Sequence, residues 1–165
     1  MNGQFQHLRV LSVFPTRTGF AYALLEGGVR LVDWGTMTLG VRSDAEYCAR
    51  LEELVRQYSP WMVAVEDYSN TRRGQMARAR IEVTLECAQF NDVHTTSISP
   101  GEARQVLGLP LRASKHHVAL RLIELFPELS RKSPRRAIWH RDARMDVFES
   151  VALSVAATNT NGNLP

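Results

Sequence analysis

The stretch that decides the fold is the apolar run Trp61-Met62-Val63-Ala64-Val65, which ends at the acid Glu66. Tyr58-Ser59-Pro60 stops a helical pattern just before it, and five consecutive apolar residues are typical of a buried strand. The end of a strand lies at the edge of its sheet. The sequence therefore predicts a buried strand that places the Glu66 carboxylate at the rim of the fold.

Upstream of this run the sequence predicts three strands and a helix. The strands cover residues 8–13, 18–25 and 29–39, and Gly27-Gly28 predicts a tight turn between the last two strands. The helix begins near residue 44 and has apolar residues at helical spacing, namely Tyr47, Leu51, Leu54 and Val55. We therefore expect an antiparallel three-stranded meander before the Glu66 strand.

Downstream of Glu66, helices alternate with one more strand. The predicted helices cover residues 75–90, 99–106, 113–126 and 143–157, and the strand covers residues 93–98. This order of strands and helices predicts an α/β sandwich with a five-stranded mixed sheet whose first three strands are antiparallel. We expect residues 1–158 to form a single domain and residues 159–165 to form a polar, frayed tail.

Composition narrows the class of protein. A chain of 165 residues with 44% hydrophobic residues is long enough to bury one core, and its net charge of +3 permits a polyanionic partner. Cys48 and Cys87 each occupy an apolar position of a predicted helix, which favours buried thiols in a reducing compartment. No apolar stretch reaches about 18 residues and no signal peptide is recognisable. We therefore expect a cytoplasmic protein without a membrane segment.

Two further acids open the last predicted helix. Asp146 and Glu149 are three residues apart and share one helix face, so both can point toward Glu66. Carboxylate oxygens are the ligands that Mg²⁺ prefers, and phosphodiester hydrolysis can use two such ions. The alternative is an ordinary solvated first turn, in which the helix dipole stabilises acidic side chains. The pattern thus fits either a shared metal site or an ordinary, solvated first turn of a helix.

The order and spacing of these segments resemble the ribonuclease H-like fold and, within it, the RuvC-type Holliday-junction resolvases. Val13-Phe14-Pro15 and Thr18-Gly19-Phe20-Ala21-Tyr22 resemble the family's strand-one Asp-Pro-Gly and the Thr-Gly-Tyr-Gly that follows. Residues 63–66 resemble its strand ending in a catalytic glutamate, and residues 146–153 resemble its closing helix with two acids. The resemblance covers residues 8–157 and rests on the order of these motifs together.

The resemblance implies a divalent-metal site. Glu66, Asp146 and Glu149 would be its catalytic metal ligands for Mg²⁺ or Mn²⁺, and Lys115 would contact the scissile phosphate or the transition state. The family places its metal-bridging aspartate where this chain has Phe14, which has no oxygen to donate. We therefore predict that hydrolysis is weakened or lost. If Phe14 is the only defect, the substitution Phe14→Asp should create or greatly increase magnesium-dependent cleavage.

Three residues are candidates to replace the missing ligand. Asp67 adjoins Glu66, but successive side chains of a regular strand point to opposite faces. Asp33 lies within the predicted third strand, where pairing with a local partner is favoured. His140 precedes the last helix and could reach the site if its loop folds inward. The sequence leaves open whether any of them acts.

Basic residues flank the acidic centre on both sides. The predicted nucleic-acid-binding set comprises Arg72, Arg73, Arg78, Lys115, Arg131, Lys132, Arg135, Arg136 and Arg141. Clustered cations suit the phosphates of a nucleic acid, whereas the alternative is a charged, solvated surface. Tyr68 and Trp139 lie within these basic stretches, where each would either stack on an unpaired base or anchor the chain.

Three functions remain open. The first is a RuvC-like nucleic-acid-binding protein, related to magnesium-dependent, structure-specific endonucleases of DNA recombination and repair, with catalysis weakened or lost. The second is an active, divergent DNA endonuclease that uses a substitute ligand. The third is a structural or interaction protein that retains only the fold. The resemblance also implies branched DNA as partner and a homodimer, because a two-fold symmetric protein suits a two-fold symmetric junction.

Overall fold

The computed structural model describes residues 7–41, 43–132 and 143–161. The strands are β1 (Arg9–Pro15), β2 (Gly19–Glu26), β3 (Arg30–Thr38), β4 (Met62–Glu66) and β5 (His94–Ile98). The α-helices are α1 (Asp44–Tyr58), α2 (Gln75–Phe90), α3 (Pro100–Val106), α4 (Lys115–Leu125) and α5 (Ala143–Asn161), and a 3-10 helix covers Pro127–Lys132. The predicted order of elements is confirmed.

The five strands form one mixed sheet in the order β3-β2-β1-β4-β5. β2 pairs antiparallel with both β1 and β3, whereas β4 pairs parallel with β1 and with β5. Ser12 of β1 lies opposite Ala64 of β4. Because the two strands run in the same direction, Phe14 and Glu66, each two residues further along, reach the same edge of the sheet.

The turn between β2 and β3 has the predicted geometry. Gly27 and Gly28 have φ values of 60° and 75°, and the N–H of Val29 donates to the carbonyl of Glu26 at 3.3 Å. Two successive residues with positive φ suit a hairpin turn, and glycine adopts them without the cost of a Cβ. The Gly-Gly pair thus fixes the antiparallel half of the sheet.

The sheet separates two cores. On one face Val10, Phe14 and Ala64 pack with residues of α3, α4 and α5, and on the other face Val13 and Val65 pack with α1 and α2. Side chains alternate along a strand, so Glu66 belongs to the same face as Ala64. Phe14 and Glu66 therefore both lie on the face that α5 covers.

Two serines bring α5 into close contact with β1. The Oγ of Ser12 donates to the carbonyl oxygen of Ser150 at 2.6 Å, and the two Oγ atoms are 2.9 Å apart. Both residues are fully buried. Because neither side chain is larger than a hydroxymethyl group, the helix backbone lies directly against the strand, and the first turns of α5 lie beside the sheet edge that holds Glu66.

The last helix is longer than predicted. It continues to Asn161 instead of ending at residue 157, so the predicted tail is wrong for residues 159–161, while residues 162–165 lie outside the described ranges. Thr158 Oγ1, Asn159 Nδ2 and Thr160 Oγ1 donate to carbonyl oxygens four residues earlier at 2.8, 2.9 and 3.0 Å. These short polar side chains hydrogen-bond within the helix, where the sequence suggested a polar tail.

Both cysteines are free thiols of the α1–α2 layer. Cys48 is half-buried and Cys87 is buried. Burial is the main cause that raises the pKa of both thiols, that of Cys87 to about 11. Because the thiolate is the reactive form, both groups are weak nucleophiles at neutral pH. The expectation of a buried thiol is confirmed for Cys87, while Cys48 is only half-buried.

A helix that spans a bilayer needs about 20 predominantly apolar residues. No helix within the described part of the chain is long and apolar enough to cross a membrane.

Candidate functional site

The candidate site begins with a carboxylate at the end of a buried strand. Glu66 is the last residue of β4 and only 6% exposed. Burial is the largest cause that raises its pKa, and the negative charge of Glu149 raises it further, while Arg73 and Lys115 oppose these effects. Removal from water disfavours the charged form of an acid. Glu66 is therefore a carboxylate whose charge depends on the cations beside it.

A phenylalanine occupies the neighbouring strand at the same level. Phe14 is 4% exposed and packs in the core beneath α5. The Cζ atom of Arg73 lies 4.4 Å from the centroid of its ring. The face of an aromatic ring carries negative charge density, so a guanidinium above it is attracted. The position where the resemblance places a bridging acid is thus filled by a ring that carries a cation on its face.

Arg73 joins the ends of both strands. Its Nη2 donates to the carbonyl oxygen of Pro15 at 2.8 Å, and its Nε lies 3.5 Å from Oε2 of Glu66. The Nε atom is buried and makes no hydrogen bond within the described part of the chain. Sequence reasoning assigned Arg73 to nucleic-acid phosphates alone and missed this contact with Glu66. The one sequence signal for it is the joint occurrence of Phe14, in place of an acid, and a basic residue in the loop after Glu66.

The helical side of the site holds the second carboxylate and a lysine. Nζ of Lys115 lies 3.9 Å from Oε1 of Glu149, and their side chains are 58% and 14% exposed. Lys115 is the first residue of α4, and the N-cap Ser114 accepts from the N–H of His117. Both Glu149 and Lys115 act on the pKa of Glu66. The structure thus brings together three of the predicted catalytic residues.

The fourth predicted catalytic residue lies one turn away. Asp146 is half-buried on α5, three residues before Glu149. Within residues 7–41, 43–132 and 143–161, no three histidine, cysteine, aspartate or glutamate side chains converge closely enough to hold a metal ion. The orphaned buried atom of the site, Nε of Arg73, is a donor that requires an oxygen, and a metal ion cannot satisfy it. The residues present do not fit the Mg²⁺ or Mn²⁺ site that the resemblance implies.

The two acidic candidates for a substitute ligand already have local partners. The hydroxyls of Tyr22 and Tyr58 donate to Asp33 on β3, two strands away from β1. Asp67 accepts the N–H of Ser69 at 2.9 Å and also its hydroxyl, and these hydrogen bonds lower the pKa of Asp67. Neither carboxylate therefore takes the place of an acid at position 14. The third candidate, His140, lies outside the described residues.

Arg78, one of the arginines that follow Glu66, has contacts within the protein. Arg78 donates to the carbonyls of Arg73 and Thr71 at 3.0 and 3.1 Å and lies over the ring of Tyr68, whose hydroxyl donates to Glu82. Its guanidinium therefore holds the loop before α2 in shape. Tyr68 itself is half-buried, as an anchoring residue would be.

Arg80, two residues after Arg78 on α2, lies inside the protein. It is 3% exposed, donates to the carbonyl of Thr16 at 3.1 Å and lies over the ring of Tyr47. A charge this deeply buried requires partners inside the protein. Arg80 and Arg73 thus both grip the turn that follows Phe14, one from α2 and one from the loop before it.

The structure describes only some of the remaining predicted basic residues. Arg72 and Arg131 are exposed. Only the backbone of Lys132 is described, and the other predicted residues of this stretch, Arg135, Arg136, Trp139 and Arg141, lie outside the described ranges. Within the described part of the chain, the exposed cations of the predicted set are Arg72, Arg78, Lys115 and Arg131, and of these Lys115 lies beside Glu149 of the Glu66 centre.

The similarity of this chain to known proteins lies in its fold. No protein-family model and no curated protein matches the sequence. The structure is similar to that of Thermus thermophilus RuvC, with a TM-score of 0.70 and 17% identity over 94% of this chain and 97% of that chain. It is also similar to T. thermophilus RuvC in complex with Holliday junction substrate, with a TM-score of 0.71 and 17% identity over 95% and 97% of the two chains.

A third similar structure comes from yeast. It is the mitochondrial Holliday junction resolvase Ydc2, with a TM-score of 0.60 and 11% identity over 92% of this chain and 78% of that chain. The agreement extends over nearly the whole length of the RuvC structures and includes the five-stranded mixed sheet. At these identities the likeness establishes architecture. The chain therefore has a RuvC-like variant of the ribonuclease H-like fold.

Proposed function

We propose that this protein binds branched DNA of the Holliday-junction type and that metal-dependent cleavage by it is weakened or lost. The observation that carries the proposal is the arrangement of Phe14, Arg73 and Glu66 at the edge of a RuvC-like sheet. The fold and the exposed cations support DNA binding. The apolar ring and the arginine, at the place where a metal-bridging acid would be needed, support the loss of cleavage.

DNA binding is supported by charge at the edge of the site. The side chain of Lys115 is 58% exposed, so its ammonium reaches solvent although it lies 3.9 Å from Glu149. Arg72 is exposed in the loop that also carries Arg73. Exposed cations bind phosphates and release counterions, which gives affinity that depends on salt. One similar structure, that of T. thermophilus RuvC, was solved in complex with Holliday junction substrate, which favours a junction over a simple duplex.

Weakened cleavage follows from the ligand set. Two-metal hydrolysis requires oxygen ligands that bridge both ions, and Phe14 supplies none. Glu66 faces Arg73, and Glu149 faces Lys115. The proposed role of these acids is therefore to hold Arg73 and Lys115 beside the bound phosphates. We also propose a homodimer that acts in the cytoplasm, because two copies related by a two-fold axis match the symmetry of a four-way junction.

The test is a gel shift and a cleavage assay with a synthetic four-way DNA junction. A linear duplex of one junction strand and its full complement is the control substrate. Junction and duplex are each incubated with the protein and EDTA, Mg²⁺ or Mn²⁺. We expect the natural protein to bind the junction more tightly than the duplex and to leave it uncut. Sedimentation of the free protein measures the dimer.

Two results would overturn the proposal. Cleavage of the junction by the natural protein that is lost in Glu66→Gln would identify an active endonuclease with another ligand. Failure to bind either DNA, with a folded protein by circular dichroism, would leave a structural or interaction protein that shares only the fold.

A further inference from the structure

We propose that the guanidinium of Arg73 is the resident cation of this centre, that it holds the place at the Glu66 carboxylate that a divalent metal ion would need, and that it keeps the centre metal-free. The inference deepens the proposed function and rests on it only in treating this sheet edge as the functional centre. It concerns the free protein, so it can be tested without DNA.

The contacts of Arg73 fix the guanidinium at the centre. One nitrogen is bound to the Pro15 carbonyl at 2.8 Å, another lies 3.5 Å from Glu66, and the group as a whole lies over the Phe14 ring. The side chain of Arg73 is 22% exposed. The carbonyl, the carboxylate and the ring contact the planar cation from three directions. Together they hold it in one position. That position is directly beside Glu66.

The balance of charge opposes a metal ion. Glu66 and Glu149 carry two negative charges, and the partners Arg73 and Lys115 carry two positive charges. Asp146 contributes one more acid a turn away on α5. A divalent ion near Glu66 would meet a fixed positive charge that has no freedom to leave, and like charges at such separations repel strongly when partly removed from water. Each of the two glutamates thus already has a cation beside it.

Phe14 and Arg73 form one unit in this interpretation. An aromatic face stabilises a cation above it, and the apolar ring needs no ion to balance its charge. An aspartate at position 14 would meet Arg73 first, since the Cζ of Arg73 lies 4.4 Å from the centre of the ring it replaces. The acid would then form an ion pair with the arginine. The expectation that Phe14→Asp alone restores metal chemistry is therefore replaced by one that requires a change at both positions.

The experiment measures Mn²⁺ binding to the free protein by electron paramagnetic resonance and by calorimetry. Four proteins are compared: the natural chain, Phe14→Asp, Phe14→Asp with Arg73→Gln, and Phe14→Asp with Arg30→Gln. The last is the matched control, because it also removes one positive charge but at Arg30, whose side chain is 63% exposed and pairs with Glu26. We expect only the Arg73 double variant to gain a Mn²⁺ site, at least about tenfold tighter than in the other three proteins. Adding Glu66→Gln should abolish that site.

Several outcomes would overturn the inference. Mn²⁺ binding by the natural protein that depends on Glu66 would do so, as would binding by Phe14→Asp as tight as that of the double variant. A folded double variant that gains no site would show that Arg73 does not exclude the ion. If Arg73→Gln prevents folding, Arg73→Met in the same background keeps an apolar stem over position 14 and is judged by the same criteria. Loss of DNA binding in any variant leaves these results unaffected, so a failure of the proposed function remains distinguishable.

Discussion

The ion pairs at the two ends of the sheet differ in the distance between their charged atoms. At the end where β1 begins, Nε of Arg9 lies 2.8 Å from Oε2 of Glu26, and Arg30 binds the other oxygen of the same carboxylate. At the end where β1 and β4 finish, the corresponding distances are 3.5 Å for Arg73 and Glu66 and 3.9 Å for Lys115 and Glu149. The first pairs are hydrogen bonds, whereas the second are separated by more than a hydrogen-bond length.

The pKa values follow the same division. Hydrogen bonds from Arg30 and Arg9 lower the pKa of Glu26 to about 2. At the other end burial raises the pKa of Glu66 in spite of its two neighbouring cations. One end therefore has charges that satisfy each other, and the other has charges that are only partly satisfied. Incompletely paired groups are common at functional sites, so the difference supports our proposal that the Glu66 end binds a ligand.

The largest expected effect is the loss of the cation that joins the strands. Arg73→Ala removes the hydrogen bond to Pro15 and leaves the buried Glu66 without its cation, which we expect to lower the free energy of unfolding by about 2 kcal/mol. Urea unfolding at neutral pH measures it. Arg30→Ala is the control at the opposite end, where we expect a smaller loss because the side chain of Arg30 is 63% exposed. Equal losses in the two variants would contradict the division.

A smaller effect is expected on DNA binding. Lys115→Ala should weaken junction binding by roughly fivefold to tenfold and make the dependence of log K on log salt shallower by about 1, since one phosphate contact is lost. Titration at several salt concentrations measures both quantities. The control is Arg30→Ala, because the two side chains are 58% and 63% exposed but lie at opposite ends of the sheet. A loss of affinity that is the same in both variants would show a diffuse charge effect instead of a site.

The pH dependence of stability should distinguish the two carboxylates by sign. The pKa of Glu66 is raised above 4.5, so the folded state binds its proton more tightly than the unfolded state does. The contribution of Glu66 to the free energy of unfolding therefore falls as the pH rises from 4.5 through its folded pKa. Glu66→Gln should remove this fall, as measured by urea unfolding at successive pH values. An unchanged pH profile would contradict the raised pKa.

The opposite slope is expected for Glu26. Its pKa is lowered to about 2, so its contribution is complete above the unfolded value of 4.5 and is lost as the pH falls from about 4.5 to about 2. Glu26→Gln should therefore reduce the difference in stability between pH 5 and pH 2. Because this carboxylate lies at the surface and is screened by solvent, we expect the smallest effect of the four. A steeper acid transition in the variant would argue against the pairing.

The sequence predicted the strands and the acids of the site because these depend on local patterns. The apolar run before Glu66 and the Gly27-Gly28 pair were enough for β4 and the β2–β3 turn, and helical spacing placed Asp146 and Glu149 on one helix. The RuvC-like fold expected from their order is confirmed by the sheet and by the similar structures.

The partners of the arginines could not be predicted, because they depend on contacts between distant segments. Arg73 and Arg80 bind carbonyls of Pro15 and Thr16, 58 and 64 residues away in sequence. A cluster of arginines in sequence has the same composition whether its members face solvent or the interior. Only the fold separates Arg80, which is buried, from Arg72, which is exposed.

The contact between Ser12 and Ser150 has a consequence for the spacing of the site. The hydroxyls of these two residues, 2.9 Å apart, determine how closely α5 approaches β1. Glu149 immediately precedes Ser150 on that helix, and Phe14 lies two residues beyond Ser12 on the strand. The two serines therefore act as a spacer of fixed length between α5 and β1. A larger side chain at either position would move the helix away from the strand. The distance between the Glu149 and Glu66 carboxylates would then increase, although no charged residue had been changed.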